Sequence, residues 1–128
     1  MQDLWFENLS KSSKSFRYVC RSIVDGELIG VFRVDNMDAI NKSVMVGLDI
    51  ALEYRRKGYA TEVYEFFINY FFETKSFHRL YLSTLESNFA GQSLYLKLGF
   101  VLEGVQKEAI WRNGAYINLL NYSLVSEV

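Results

Sequence analysis

The stretch from Asp49 to Glu62 constrains the fold more than any other, because an apolar run passes into an amphipathic one through Tyr54-Arg55-Arg56-Lys57-Gly58-Tyr59-Ala60. The run before it suits a buried strand and the spacing after Gly58 suits a helix, so the junction reads strand, turn, helix. The first turn of a helix presents amides with no intrahelical partner, together with the positive end of the macrodipole, and both favour an anion. Gly58 has no Cβ, tolerates positive φ and lets the main chain come close to a phosphate. Arg55, Arg56 and Lys57 add mobile positive charge there, and the small Ala60 leaves the first turn uncrowded. The same residues also suit a plain solvated loop ending in a turn glycine, so the junction alone does not decide between the two.

A chain of 128 residues has room for a core but for one domain only. Half of it is apolar and 16% aromatic, which describes a folding sequence rather than a disordered one. Its 14 Lys and Arg against 15 Asp and Glu give no general pull toward nucleic acid or anionic membrane. A local basic turn in a near-neutral chain therefore points to a small anionic ligand. With Cys20 the single cysteine and His78 the single histidine, an internal disulfide is excluded, and metal binding and Cys/His catalysis have little to build on. The expected compartment is the reducing cytoplasm. No run is long or apolar enough to span a bilayer, and Asp3 and Glu7 are unlike a signal peptide.

The order of elements reads as α/β. Leu4 to Ser15 lacks a clean period and reads as a short helical remnant followed by a Ser/Lys linker. Phe16 to Val24 alternates as a strand, with Phe16, Tyr18 and Cys20 on one face. Asp25-Gly26 predicts a tight hairpin turn into a return strand, Glu27 to Val34. After a polar loop from Asp35 to Lys42, the near-continuous apolar run from Ser43 to Ala51 suits a central strand covered on both faces. The helix opened by Gly58 runs to about Thr74, with Ala60, Val63, Phe67, Tyr70 and Phe71 on its core face. Arg79 to Leu85 is a fourth strand, parallel to the third through that helical crossover. A second helix spans Phe89 to Leu98, capped by Asn88 and followed by Gly99. Two further strands, Phe100 to Trp111 and Ala115 to Val125, turn at Asn113-Gly114.

With these pieces in order, Arg55-x-x-Gly58-x-Ala60, then Asn88, then Leu94-Tyr95-x-Lys97-x-Gly99-Phe100, the chain resembles the GNAT superfamily of N-acetyltransferases from about Phe16 onward. Within it the resemblance is to ribosomal-protein N-terminal and spermidine acetyltransferases. Each motif is short, and the specificity lies in their order on the elements that the fold requires. The resemblance implies a mixed, mostly antiparallel sheet with one parallel pair around a crossover helix and helices on both faces. It implies acetyl-coenzyme A as cofactor, with Arg55, Arg56, Lys57, Gly58, Tyr59, Ala60 and Thr61 on its pyrophosphate. Asp49 and Ile50 would lie along its pantetheine arm through backbone groups, and Asn88 would hydrogen-bond it. Tyr95 falls where the family places the general acid for the departing thiolate, and a phenol with a pKa of about 10 is protonated at neutral pH, as that role needs.

The implied reaction is direct transfer of an acetyl group to a primary amine, a peptide N-terminus, a polyamine or another small amine, within a ternary complex. An α-amino group with a pKa of about 8 is far more often neutral at pH 7 than a lysine-like amine near about 10.4, so it needs less help from a base. Met45 stands where many relatives carry a basic glutamate, and Glu86 is the substitute candidate. Gly91 stands where the resemblance implies an alanine, and the front end reads as shortened against the further strand and two helices that the resemblance implies. Tyr95 also reads as a core tyrosine, Asn88 as a plain N-cap and Glu86 as a surface carboxylate. His78 reads as a boundary residue, Cys20 as buried packing and Trp5 as packing or acceptor lining. Trp111 reads likewise as packing or acceptor lining, and Trp111 and Tyr116 also suit a homodimer face. The alternative to an enzyme is a domain that binds coenzyme A without turnover, suggested by Met45 and the short front end.

Overall fold

The computed structural model describes residues 4–8 and 15–127. Its elements are β1 (Leu4–Asn8), β2 (Phe16–Ser22), β3 (Leu28–Asp38), β4 (Ser43–Ile50), α1 (Tyr59–Asn69), β5 (Arg79–Leu85), α2 (Phe89–Lys97), β6 (Val101–Arg112) and β7 (Ala115–Val125). They build a seven-stranded sheet in the order β1-β2-β3-β4-β5-β7-β6, with β4 and β5 its one parallel pair. The expected mixed, mostly antiparallel sheet is therefore the architecture.

The first segment corrects the reading of a helical remnant. Leu4 is buried and Phe6 half-buried while Trp5 and Glu7 are exposed, a period of two that lets the segment pair antiparallel with β2, Leu4 opposite Ser22. Trp5, apolar but outward, hid the alternation. The Ser/Lys linker of residues 9–14 lies outside the described residues. The Asp25-Gly26 hairpin is wider than a two-residue turn: Gly26 N–H donates to Ser22 O and Ser22 N–H to Glu27 O, both at 2.9 Å. β3 runs on to Asp38 through an irregularity after Asp35, where a polar loop is expected from the sequence.

Both described helices lie on one face of the sheet, which corrects the expectation of helices on both faces. Phe67 of α1 stacks on Phe32 of β3 at 4.0 Å between ring centres, and Phe32 sits opposite Leu48, on the β4 face that also carries Val44 and Val46. Val44 pairs with Leu80 and Leu82 with Tyr122, and Tyr122 meets Tyr95 of α2 at 5.7 Å. These apolar positions form one continuous floor, so each helix buries its stripe there. Burying Phe67 contributes about 1.5–3 kcal/mol, and Phe67→Ala, which leaves a cavity as well, would cost about 3–5 kcal/mol. The opposite face, with Arg33, Met45, Asp49, Tyr81 and Ser83, carries no described helix, so β4 is central but covered on one side.

Parallel pairing of β4 and β5 stops early. Ser43, Val44 and Met45 pair with Arg79, Leu80 and Tyr81, and nothing beyond Met45 is paired across these strands. A gap therefore opens between their carboxyl ends, the place where α/β sheets admit ligands. α1 leaves from the β4 side of this gap and α2 from the β5 side. α1 ends in a wider π turn, Tyr70–Thr74, in which Lys75 N–H donates to Tyr70 O at 3.0 Å.

Candidate active site

The glycine turn has the backbone that the sequence requires. Gly58 caps α1 at φ 84°, a left-handed conformation, with nothing within 4 Å of where its Cβ would stand. Arg56 is also left-handed, at φ 63°. The first helical bond is Glu62 N–H to Gly58 O at 3.2 Å, and among the described residues no backbone acceptor takes the amides of residues 56–61. Open space in front of unpaired amides at a helix N-terminus is what a phosphate needs. Arg55 is partly committed elsewhere, its Nε donating to Ile50 O at 3.1 Å and so tying the turn to the end of β4. Arg56 and Lys57 remain exposed, Lys57 Nζ lying 5.9 Å from the Tyr54 ring centre.

Two tyrosines meet across the helices beside the gap. Tyr64 of α1 and Tyr95 of α2 pack edge to face at 5.8 Å. The Tyr64 hydroxyl is buried, and its polar neighbour is the Tyr95 hydroxyl, toward which it points as a loose donor rather than in a well-formed hydrogen bond. Burial pushes both phenols up, Tyr64 strongly; Tyr95 is drawn back in part by the Tyr64 hydroxyl and by Arg33. Both are therefore held protonated beyond the ordinary tyrosine range.

The charges acting on these hydroxyls come from the other side of the sheet. Arg33 of β3 pairs with Asp49 of β4, Nε to Oδ2 at 2.9 Å, and both influence Tyr64 and Tyr95. The guanidinium lies over Gly47: a Cβ there would stand 2.6 Å from Nη2 and 2.7 Å from Cζ. Met45 is part of the same face and brings only a thioether, which Asn36 Nδ2 approaches at 3.7 Å.

At the start of α2, Asn88 is a working N-cap. Its Oδ1 accepts Gly91 N–H at 3.0 Å and its Nδ2 donates to Thr84 Oγ1 at 2.9 Å, which leaves one amide hydrogen for another partner. Glu86 is exposed two residues earlier; among the described residues no hydrogen bond or ion pair joins its carboxylate to Tyr95 or to the Arg33–Asp49 pair. Cys20 is fully buried with its thiol pushed up to about 12 by burial, and His78 is exposed away from the gap, both as packing and boundary readings anticipate. The structure thus gathers the turn, the end of β4 and Tyr95 around one gap, with Asn88 at the start of the helix that carries Tyr95. Sequence reasoning missed Arg33 and Tyr64. Tyr64 is four residues after Ala60 on the expected stripe, so the helical period contained it; nothing in the sequence distinguishes Arg33.

Against known proteins, the acetyltransferase (GNAT) domain family matches residues 1–101. The chain belongs to the GNAT family. Spermidine N(1)-acetyltransferase of Escherichia coli (strain K12) is 27% identical to this GNAT chain over 94% of it and 63% of the relative. YdaF of Bacillus subtilis (strain 168), whose name places it provisionally among ribosomal N-acetyltransferases, is 29% identical over 80% of this chain and 56% of its own. The chain thus spans roughly three fifths of the length of these curated relatives. A crystal structure of mutant forms of the spermidine/spermine N-acetyltransferase SpeG from Vibrio cholerae superposes with a TM-score of 0.83 at 26% identity, covering 89% of this chain and 68% of that one. Another SpeG structure from Vibrio cholerae, described as dodecameric, gives 0.84 at 26% identity, covering 89% and 66%.

Proposed function

We propose that the chain is an N-acetyltransferase domain that binds acetyl-coenzyme A at the glycine turn and passes its acetyl group directly to a primary amine in the gap between β4 and β5. The observation that carries this reading is that the open, left-handed turn at Gly58 follows the end of β4 where its pairing with β5 has stopped, while the helix that carries Tyr95 leaves from β5 on the other side. The amides from Arg55 to Thr61 would hold the pyrophosphate, with Arg56 and Lys57 adding charge. Backbone groups of Asp49 and Ile50 would flank the arm, although Ile50 O already accepts from Arg55. The remaining amide hydrogen of Asn88 is the further contact.

When bound, acetyl-coenzyme A supplies an acetyl group activated as a thioester, whose carbonyl carbon takes the amine. Tyr95 Oη holds a proton for the departing sulfur, and its upward shift keeps that proton in place. Cys20 is sealed in the core with a thiol at about 12, so no covalent relay through it competes with direct transfer. Glu86, at the carboxyl end of β5, acts in this reading as base through water, since Met45 has no charge to offer. Trp111 and Tyr116, exposed and 4.8 Å apart on the β6–β7 hairpin, offer a face for self-association.

Calorimetry with acetyl-coenzyme A, followed by thiol release with a panel of primary amines, tests the reading. Binding with release is expected. No binding would end it, and binding without release for any amine would favour the non-catalytic alternative.

A further inference from the structure

The Arg33–Asp49 pair stands on the open face of the sheet, at the part of β4 that has left β5, with side chains 41% and 71% exposed. We propose that this pair is the acceptor subsite and selects a small zwitterion, an α-amino acid with free ammonium and carboxylate, over a polyamine. The proposal rests on the acetyl-transfer reading above and specifies its acceptor.

Charge balance makes the argument. A polyamine brings only positive charge, which Asp49 attracts and Arg33 repels, so the two residues work against each other. A zwitterion replaces both halves of the pair at once, its ammonium on the Asp49 carboxylate and its carboxylate on the Arg33 guanidinium fork, and the proton that the amine loses before attack passes through water to Glu86. Opening the pair sacrifices little, because exposed ion pairs contribute little on their own. Gly47 makes the geometry available: without a Cβ at that position the guanidinium lies flat on β4, where any larger residue would lift it from Asp49. The same placement keeps the ammonium site on the strand that leads into the Gly58 turn.

Beyond β5 on the same face is a separate depression, which neither Arg33 nor Asp49 lines. It measures about 290 Å³ and is lined by Tyr81, Ser83, Glu103, Gly104 and Asn121. Its carboxylate is already engaged, Glu103 Oε1 and Oε2 taking both Arg79 amines at 2.5 and 2.7 Å and Oε2 also accepting Ser123 Oγ–H at 2.9 Å. What remains there is uncharged and mostly apolar, with Leu82 and Tyr122 also in the lining and Ser83 Oγ already donating to Asn121 Oδ1 at 2.7 Å, so it offers nothing to a second ammonium.

The test uses protein saturated with coenzyme A and titrated with L-serine, L-glutamine and L-lysine, their amides, and spermidine, read by calorimetry. Thiol release from acetyl-coenzyme A is measured with the same acceptors. At least one amino acid should bind and react about tenfold better than its own amide, because the amide leaves the guanidinium unpaired, and spermidine should trail both. Arg33→Gln should erase the difference between acid and amide, Arg33→Lys should restore part of it, and Asp49→Asn should weaken both. Equal use of acid and amide, spermidine as the best acceptor, or an unchanged ratio in Arg33→Gln would overturn the inference while leaving the transfer reading intact. Failure of coenzyme A itself to bind the unaltered chain would overturn both.

Discussion

Asn88 Oδ1 and the backbone N–H of Gly91 meet at 3.0 Å in a space that a Cβ on residue 91 would enter, colliding with the Asn88 amide. Helix propensity alone says that Gly91→Ala should stabilise by about 1 kcal/mol. The geometry predicts the opposite, because the Asn88 amide is held at both ends, by Gly91 N–H and by Thr84 Oγ1, and cannot step aside without breaking the cap. Gly91→Ala should therefore lose about 1 kcal/mol in urea unfolding, close to the loss in Asn88→Ala, and the double variant should lose little more than either. A stabilised Gly91→Ala would show that the cap adjusts freely.

Gly58 is unlike Gly91 because its space is empty and its backbone alone demands glycine, at φ 84°. Gly58→Ala should cost about 1 kcal/mol of stability and only weaken coenzyme A binding. Gly58→Glu adds a carboxylate beside the unpaired amides and should abolish binding, with unfolding no worse than in Gly58→Ala. Calorimetry on both variants separates phosphate recognition from folding. Equal affinities in the two would remove the turn from the site.

Legibility followed how local the signal was. β5 begins and ends at Arg79 and Leu85 as the sequence alternates, and the turn at Asn113-Gly114 is marked by two adjacent residues that both adopt positive φ, 52° and 78°. Gly58 and Asn88 were legible for the same reason, since a helix start is written within a few residues. The Arg33–Asp49 pair was not, because sixteen residues separate its members and only the β3–β4 register, Arg33 opposite Gly47, brings them together. Nor did any local pattern say that α1 and α2 share a face. That follows from the pairing of Val44 with Leu80, a contact between strands on either side of a whole helix.

Glu103 of β6 reaches over β7 to Arg79 of β5, and that guanidinium, with Ser123, holds its carboxyl at about 2. A carboxyl lowered on folding contributes stability above its unfolded pKa, near about 4.3, and that contribution is lost as pH falls through the folded value. The side chain is 42% exposed, so solvent screening limits the pair to about 1 kcal/mol or less. Glu103→Gln should thus be slightly less stable than the unaltered chain at pH 7, and the gap should close between pH 4.5 and pH 2. A gap that persists at pH 2 would assign the loss to packing.

Tyr95 separates binding from chemistry. Tyr95→Phe removes one hydroxyl and keeps the ring against Tyr64, Phe100 and Tyr122, so the fold and coenzyme A affinity should change little. If Tyr95 protonates the departing thiolate, turnover should fall by about a hundredfold or more when chemistry limits the rate. Its pH profile adds a second constraint. Burial raises the Tyr95 pKa above the ordinary tyrosine range, so the acid form persists further on the alkaline side and any loss of turnover from Tyr95 should come at higher pH than for an ordinary tyrosine. An alkaline limb near pH 8.5 that disappears in Tyr95→Phe would mean that burial does not protect this proton, while an unchanged rate in the variant would assign Tyr95 to packing alone.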